Sequence, residues 1–339
     1  MKAVVWRAYG PPEALRLEEL PEPVPGEGEV LVCVRATTVT AADAMLRQGR
    51  SAAVRAVVGL REPRRRYRVP GLELAGVVES TGRGVTGFRR GDEVYGFTGF
   101  RLGAHAEYAC LPESASLAIR PSTVTYGEAA ALVDGASTAL HFLLDQAHLR
   151  AGQRVLVLGA SGSIGGYAVQ LARHLGAEVS GTCSTSNLEL VRSLGAHRAI
   201  DYTQEDIGAD GERYDVIFDA VGAGSFSRCR TSLTARGCYL TTVMGLTSIA
   251  QTLATRVSTG RRVRFGMSVH KAEALRRVKD LVEDGAVRPV VDRYFALDQI
   301  VDAHRYVDRG HKRGNVVVSV AEVSTDHLPQ ARATKGPRP

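Results

Sequence analysis

RVLVLGASGSIGGYAVQLA, residues 154–172, is the stretch that decides the fold. A strand-length apolar run leads into Gly159, Gly162 and Gly165, and a helix with apolar periodicity follows. Glycine lets the backbone approach a pyrophosphate closely, and a helix N-terminus offers free N–H groups and partial positive charge to that anion. This strand, turn and helix therefore predict a dinucleotide-binding unit; the alternative is a structural turn in another kind of α/β protein.

Strand-length and helix-length segments alternate around this turn from residue 125 onward. Gly176 and Gly195 stand just past two of the helices, where glycine is the favoured residue. This alternation predicts an α/β fold with a parallel sheet covered by helices on both faces. The predicted elements are strands 155–159, 178–182, 199–201, 215–219 and 239–243, and helices 164–175 and 187–194.

The first 124 residues have a different pattern of short strands separated by Gly and Pro, which favours a barrel-like β domain. These strands are expected at 2–6, 15–20, 29–38, 74–81, 93–97 and 106–111. Beyond residue 268, a helix (272–284), a strand (287–294), a helix (297–307) and a final strand (315–320) are expected to return to this first domain. Residues 321–339 are polar and predict a mobile tail.

Composition excludes several classes of protein. A chain of 339 residues with 44% hydrophobic and 23% charged residues is typical of a folded protein of two domains. Its start lacks the apolar core of a signal peptide, and no run reaches the length of a membrane span. Five widely spaced cysteines suit free thiols in a reducing compartment, so we expect a cytoplasmic protein.

The formal net charge is +7, and arginines concentrate between Arg61 and Arg68. Arginine forks bind phosphate, so this cluster could hold a nucleic-acid backbone. It lacks the repeated aromatic residues of a stacking platform, and a solvated loop is the favoured interpretation. Nucleic acid is therefore not an expected partner.

With these motifs together, the chain resembles the zinc-independent, quinone-oxidoreductase-like branch of the medium-chain dehydrogenase/reductase superfamily. The resemblance covers nearly everything through Val320. It is carried by the glycine turn and by PGEGEVLV (25–32), PGLELAGVVE (70–79), GDEVYG (91–96), AAALVDGASTA (129–139) and CSTSNLELVRSLGA (183–196). It implies a GroES-like β-barrel substrate domain (1–124 and 270–320), a Rossmann NADP-binding domain (125–269) and a cleft between them.

Departures from the zinc-dependent relatives shape the expected chemistry. Where the resemblance places their cysteine ligand, residues 40–43 read TAAD, and their Gly-His-Glu motif is here Gly71-Leu72-Glu73. The cysteine-rich lobe that holds a structural zinc in those relatives is also missing from the sequence, so we expect no metal. Without a Lewis acid, hydride transfer is easiest to an acceptor already activated by conjugation, such as a quinone or an α,β-unsaturated carbonyl.

Two alternatives stay open. One is a zinc-free oxidoreductase of plain ketones or alcohols. The other, from a different class, is a non-catalytic NADPH-binding protein, either a redox-sensing regulator or a nucleic-acid binder.

Three candidate catalytic residues follow from the resemblance. Thr40 and Asp43 match positions beside the nicotinamide, with a cap at the end of a strand as the alternative. Asp134 stands where the family usually has an apolar residue near the nicotinamide. It could donate a proton if burial raised its pKa, but an exposed or helix-capping carboxylate is the favoured interpretation. His270 and Lys271 are expected near the pocket rim or in a surface turn.

The candidate cofactor-binding residues lie in and around the glycine turn. They are Thr138, Ser161, Gly162, Ser163, Ile164 and Asn315. Thr138 matches a cofactor-contacting threonine of the family, with an ordinary helix residue as the alternative. Cys183, a free thiol after the second strand of this unit, is expected to serve packing.

The loop after that strand predicts NADPH rather than NADH. Sites selective for NAD place an acid there to bind the ribose 2′-hydroxyl, whereas residues 182–187 read TCSTSN and contain none. Ser184, Thr185 and Asn187 can donate hydrogen bonds to a 2′-phosphate, and the resemblance adds Tyr202. The alternative is a polar loop that tolerates both cofactors. We also expect a homodimer, because residues 262–267 alternate as an exposed edge strand, and such edges tend to be paired.

Overall fold

Two large β-sheets with a helix between them organise the part of the chain that the computed structural model describes, which is residues 1–207, 211–243, 246–256, 260–266, 268 and 271–320. The tail predicted at 321–339 lies outside the described residues. Met267 and His270 lie outside them as well.

The first part of the chain is mostly strand, as its Gly and Pro punctuation predicts. The elements in chain order are β1 (Lys2–Trp6), β2 (Leu15–Glu19), β3 (Glu29–Val39), α1 (Ala41–Gln48), α2 (Ala52–Val58), β4 (Glu73–Thr81), β5 (Glu93–Phe97), β6 (Tyr108–Pro112) and β7 (Ser116–Ile119).

Helices and strands alternate in the remainder. The elements are α3 (Tyr126–Leu140), β8 (Arg154–Leu158), α4 (Ser163–His174), β9 (Glu178–Cys183), α5 (Leu188–Ser193), β10 (Arg198–Asp201), β11 (Tyr214–Asp219), α6 (Phe226–Cys229), β12 (Leu233–Thr241), α7 (Leu246–Arg256), β13 (Arg262–Phe265), α8 (Ala272–Glu283), β14 (Val291–Ala296), α9 (Ile300–Asp308) and β15 (Asn315–Ser319).

Strands β8 to β13 form one parallel sheet in the order β10-β9-β8-β11-β12-β13. The chain runs outward from β8 to β10, returns to β11 and continues to β13 at the opposite edge. The direction of winding therefore changes between β8 and β11, the kind of switch point where open α/β sheets bind ligands. The doubly wound parallel sheet predicted from the sequence is confirmed.

The second sheet has the order β14-β15-β3-β4-β5-β7, and β6 pairs with β3. Its pairs are antiparallel except β14 with β15, so the last two strands return to the N-terminal strands as the sequence predicts. Its apolar core includes Val30, Val32, Leu74, Val94 and Leu117.

Helix α3 lies between the two sheets. Thr125 and Glu128 form a capping box at its start, which satisfies N–H groups of the first turn. Almost every residue of the helix is buried, and alanine and glycine predominate because sheet strands and α4 pack closely on several sides. At Gly135, an added Cβ would lie 2.8 Å from Ser163 Oγ, so α3 approaches the first turn of α4 closely.

Some predicted boundaries were wrong. The strand expected from residue 287 begins at Val291, because Pro289 cannot donate to a ladder and the apolar residues before it are buried without forming one. Helices α1, α2, α6 and α7 and strand β7 were not predicted. Thr40 and Asp43, for which a cap at the end of a strand was the alternative to a catalytic role, form the capping box that begins α1.

Candidate active site

The glycine turn has the geometry of an anion site. Gly159 ends β8 with φ +75°, and a Cβ added at Gly165 would lie 2.1 Å from the Gly159 carbonyl oxygen, so both positions require glycine. The first hydrogen bond of α4 runs from Gly166 N to Gly162 O. Because it begins there, the N–H groups of Ser163 and Ile164 precede the helical ladder and point out of the helix N-terminus.

Three of the predicted cofactor-binding side chains meet beside this turn. The Asn187 amide donates to Ser161 Oγ at 3.3 Å and to Ser184 Oγ at 3.1 Å. Asn187 is buried, and its Oδ1 has no hydrogen-bond partner among the described residues. This amide therefore connects the glycine turn to the loop after β9 and leaves one acceptor for a ligand.

Thr185 and Tyr202 are placed differently. The Thr185 hydroxyl donates to Asp201 Oδ2 at 2.5 Å, and the Thr203 hydroxyl donates to Asp201 Oδ1 at 2.7 Å. These hydrogen bonds lower the pKa of Asp201. Residues 182–187 contain no acid, but the fold brings the carboxylate of Asp201, on the neighbouring strand β10, to the Thr185 hydroxyl. Tyr202 follows it with 49% of its surface exposed.

Asn315 is buried where the two sheets meet. Its amide donates to Tyr167 Oη at 3.3 Å and to Val290 O at 3.0 Å, and its Oδ1 accepts from Ser163 Oγ at 2.5 Å. A backbone hydrogen bond also joins β15 to the glycine turn: Gly314 N, just before β15, donates to Ser161 O at 2.9 Å. Asn315 thus holds the start of α4 against β15 with all of its polar atoms engaged.

Thr40 and Asp43 form the cap that was the open alternative. Thr40 N donates to Asp43 Oδ2 at 2.9 Å, and Asp43 N donates to Thr40 Oγ1 at 3.1 Å. Burial raises the pKa of Asp43, and its Oδ1 is buried without a partner among the described residues. The structure therefore assigns these residues a capping contact and leaves one carboxylate oxygen of Asp43 available.

Asp134 lies in the middle of α3 and caps no helix end, so the capping interpretation was wrong. Its Oδ1 accepts from Lys271 Nζ at 2.6 Å and from Thr138 Oγ1 at 3.1 Å. Burial alone would raise the pKa of Asp134, but the Lys271 ammonium and these hydrogen bonds outweigh it and hold the pKa below its usual value. Asp134 is therefore ionised near neutral pH and has no proton to donate to a product.

Lys271 is buried, with 1% of its side chain exposed, so the surface-turn interpretation was wrong. Its ammonium also donates to Thr138 Oγ1 at 2.9 Å and Ser137 Oγ at 3.1 Å, and lies 5.0 Å from the Phe97 ring centroid. Thr138 therefore belongs to a polar cluster with Asp134 and is not an ordinary helix residue.

Glu73 completes the cluster from β4. Its side chain is buried and accepts from Asp134 N at 2.7 Å and from the Thr38 hydroxyl. Burial, together with the charge of Asp134, raises the pKa of Glu73 to about 8. Glu73 is therefore mainly protonated at neutral pH, while its neighbour Asp134 carries the charge.

Lys312 is a further cation close to this cluster. Its ammonium donates to Gly314 O at 2.5 Å, and burial lowers its pKa to about 8 against the opposing influence of Glu73 and Asp292. No motif in the sequence singled out Lys312 or connected Lys271 with Glu73. A usable signal was the scarcity of lysine, since five lysines stand among 43 basic residues.

The residues fit a dinucleotide better than a metal ion. The glycine turn leaves backbone room that a Cβ would fill, and Asn187 and Asp43 each keep an unpartnered buried oxygen. Within the described ranges, no three His, Cys, Asp or Glu side chains are grouped as metal ligands would be. No helix in this described part of the chain has the length and apolar character needed to cross a membrane.

Comparisons with known proteins identify relatives of this chain. A family model described as an alcohol dehydrogenase GroES-like domain matches residues 26–121, and one described as a zinc-binding dehydrogenase matches residues 194–318. The chain is 33% identical over 330 residues to the Arabidopsis thaliana NADPH-dependent alkenal/one oxidoreductase, chloroplastic, which covers 94% of this chain and 79% of the relative.

Two further matches cover both chains almost completely. The chloroplast envelope quinone oxidoreductase homolog of A. thaliana is 30% identical over 330 residues, covering 94% of this chain and 98% of the relative. The solved structure of the quinone oxidoreductase from Coxiella burnetii superposes with a TM-score of 0.85 at 28% identity, covering 95% of this chain and 99% of that one.

Proposed function

This chain belongs to the quinone-oxidoreductase-like branch of the medium-chain dehydrogenase/reductase superfamily, and we propose that it is an NADPH-dependent reductase of quinones or α,β-unsaturated carbonyl compounds. The relatives named for alkenal/one and quinone reduction support the substrate class.

One observation carries the proposal. The start of α4 and α3 are in contact at Ser163 and Gly135, and Asp134, the residue before Gly135, donates its backbone N–H to Glu73 on β4 of the mostly antiparallel sheet. A dinucleotide bound at the α4 N-terminus would therefore end at the polar cluster between the sheets. We propose a GroES-like domain at 1–124 and 270–320 and a cofactor domain at 125–269. The grouping of β3–β7 with β14 and β15 in one sheet, and of β8–β13 in the other, supports this division.

Different groups of the site would bind different parts of the cofactor. The N–H groups of Ser163 and Ile164 bind the pyrophosphate, and Ser184 and Asn187 lie where the adenosine end would extend. When bound, the reduced nicotinamide supplies a hydride to the electrophilic carbon of the acceptor. Thr138 and Asp134 line the site where this transfer takes place.

The product also needs a proton. Lys312 and Glu73 both have pKa values of about 8, and Glu73 is buried while Lys312 is partly exposed. We therefore favour Lys312 Nζ, resupplied by water, as the proton source. A group that titrates near the working pH can both give and recover a proton.

We propose that the reaction needs no zinc. Thr40 and Leu72 stand where ligands would be needed, and neither side chain is a zinc ligand. Glu73 retains the acid of the Gly-His-Glu motif, but its carboxyl oxygens accept hydrogen bonds from the Thr38 hydroxyl and from the backbone N–H of Asp134.

We further propose a preference for NADPH, a homodimer and a cytoplasmic location. The cofactor preference is supported by Ser184, whose hydroxyl can donate to a 2′-phosphate, and by the name of an NADPH-dependent relative. The dimer is supported by β13, which lies at the edge of its sheet. The location rests on the sequence alone, and fractionation of the source cells would test it.

The test is NADPH consumption by enzyme dialysed against a chelator. A quinone and 3-penten-2-one should be turned over, whereas 2-pentanone, with the same carbon skeleton but no conjugation, should react at least about 100-fold more slowly. Turnover of 2-pentanone alone would indicate a ketone reductase. Tight NADPH binding without turnover of any acceptor would indicate a regulatory protein, and activity that requires added zinc would contradict the metal-free reaction.

A further inference from the structure

The position of Asp134 relative to the glycine turn is fixed by its neighbours. Gly135 packs against Ser163, the first residue of α4, while Ser184 and Asn187 reach the turn from its other side through Ser161. A dinucleotide with its pyrophosphate at α4 would therefore extend its adenosine toward Ser184 and its nicotinamide toward Asp134.

Asp134 and Lys271 form an oriented ion pair at that place. The lysine side chain is 1% exposed and the aspartate side chain 35% exposed, so the cation lies behind the anion, away from solvent. Lys271 holds Oδ1, and Oδ2 accepts no hydrogen bond from the described residues. The negative end of the pair consequently faces the open side.

The other charged groups around Asp134 leave it as the local anion. Glu73 on β4 is mainly protonated at neutral pH, and burial raises the pKa of Asp43 on α1. Lys312, before β15, adds positive charge. Lys271 and Lys312 both help to keep Asp134 ionised.

We propose that the Asp134 carboxylate, oriented by Lys271, favours the oxidised form of the bound nicotinamide over the reduced form. The oxidised ring is positively charged and the reduced ring is neutral, so a nearby carboxylate stabilises only the former. Preferential binding of the oxidised form makes the bound cofactor a stronger hydride donor and opposes the reverse reaction. The inference rests on the proposed function, because it requires nicotinamide binding in this cleft.

The experiment compares dissociation constants for NADP⁺ and NADPH, measured by calorimetry and by NADPH fluorescence at pH 7. In Asp134→Asn, the ratio of the NADP⁺ constant to the NADPH constant should rise about tenfold, because the carboxylate charge is removed and the Lys271 charge is left without its partner. The double variant Asp134→Leu/Lys271→Met removes both charges and replaces the pair with apolar groups, which usually preserves folding. Its ratio should also rise, but by less, since no uncompensated lysine remains.

Asp308→Asn is the matched control. Arg47 on α1 and Asp308 on α9 form an ion pair with similar burial, 2% and 25% exposed, at 2.5 Å, and neither is among the charged groups that act on Asp134. Loss of this ion pair should leave the ratio of the NADP⁺ and NADPH dissociation constants unchanged.

An unchanged ratio in both Asp134 variants, or an equal change in the control, would overturn the inference while leaving the proposed function intact. If the wild-type protein binds neither form of the cofactor, the proposed function fails and the inference fails with it. Circular dichroism of each variant confirms that the comparison is made on folded protein.

Discussion

Lys271 Nζ lies 2.6 Å from Asp134 Oδ1, although 137 residues separate them in the chain. The contact joins α3 to the segment that precedes α8, and through Glu73 it reaches β4. A single polar cluster therefore includes residues from three separate regions of the sequence. The energetics of this cluster and the neighbouring cofactor site give four expected outcomes, and the edge strand β13 gives a fifth.

Removing the cation alone should destabilise the fold. Lys271→Met leaves Asp134 ionised in a poorly solvated place, and the free energy of unfolding should fall by about 2–3 kcal/mol, less than for a fully buried pair because Asp134 is 35% exposed. Urea denaturation measures this change. Adding Asp134→Leu should restore most of the loss; a double variant as unstable as the single one would show that the effect is lost packing of Lys271.

Gly162→Asp should abolish cofactor binding without unfolding the protein. Gly162 is the N-cap of α4 with φ −82°, a conformation open to any residue, and aspartate is a favoured N-cap. Its charge, however, would repel the pyrophosphate. We expect NADPH affinity to fall at least about 100-fold, on the order of 3 kcal/mol. Gly162→Ala is the control: its Cβ would lie 3.3 Å from Gly159 O, so a smaller loss is expected. Equal losses of NADPH affinity in the two variants would show that the added side chain blocks the site sterically and that its charge has no effect.

Cofactor preference should respond to charge at Ser184. Wild-type kcat/KM should be higher with NADPH than with NADH, and Ser184→Asp should shift that ratio toward NADH by at least about tenfold, because a carboxylate repels the 2′-phosphate. Ser193→Asp, at the exposed far end of α5, carries the same charge and should have little effect. A wild-type ratio at or below one would contradict the predicted preference.

Glu73 should make the protein less stable as pH rises. Its pKa is about 8 in the folded state and near 4.5 when exposed, so the folded state holds the extra proton between these values. The stabilisation that this proton contributes to the fold is complete below about pH 4.5 and is lost as pH rises through about 8. The free energy of unfolding falls by on the order of 1.4 kcal/mol for each unit by which the two pKa values differ.

Urea denaturation at pH 6 and pH 9 tests this dependence. Glu73→Gln should reduce the difference between the two stabilities relative to wild type. Glu283→Gln is the control, because hydrogen bonds from Lys279 and Ser122 lower the pKa of Glu283 to about 2 and it does not titrate in this range. The same pH dependence in wild type and Glu73→Gln would show that Glu73 is ionised throughout.

The proposed homodimer would pair through β13, which lies at the edge of its sheet. Light scattering at micromolar concentration should give a dimer mass, and Phe265→Glu at the end of this strand should shift the protein toward monomer, because charge on an edge strand opposes pairing. Leu17→Glu, an exposed apolar position on β2, should leave the dimer intact. A monomer in the wild type would rule out the predicted assembly.

Local patterns were sufficient for the two sheets. The glycine turn, the closing glycines at Gly176 and Gly195 and the alternation of elements predicted the parallel sheet, because backbone conformation and periodicity are properties of neighbouring residues. Boundaries failed where tertiary packing replaced a ladder, as before Val291.

The sequence by itself determined the class of fold, the place of the glycine turn that we propose binds the pyrophosphate, and the replacement of zinc-ligand residues by Thr40 and Leu72. Only the tertiary structure decided the charge states of the site: it buried Lys271 against Asp134, put Glu73 beside that carboxylate and brought Asp201 to Thr185. The physical reason is that a pKa depends on burial and on charges a few ångströms away. Those neighbours come from distant parts of the chain, and no local pattern records which of them will meet.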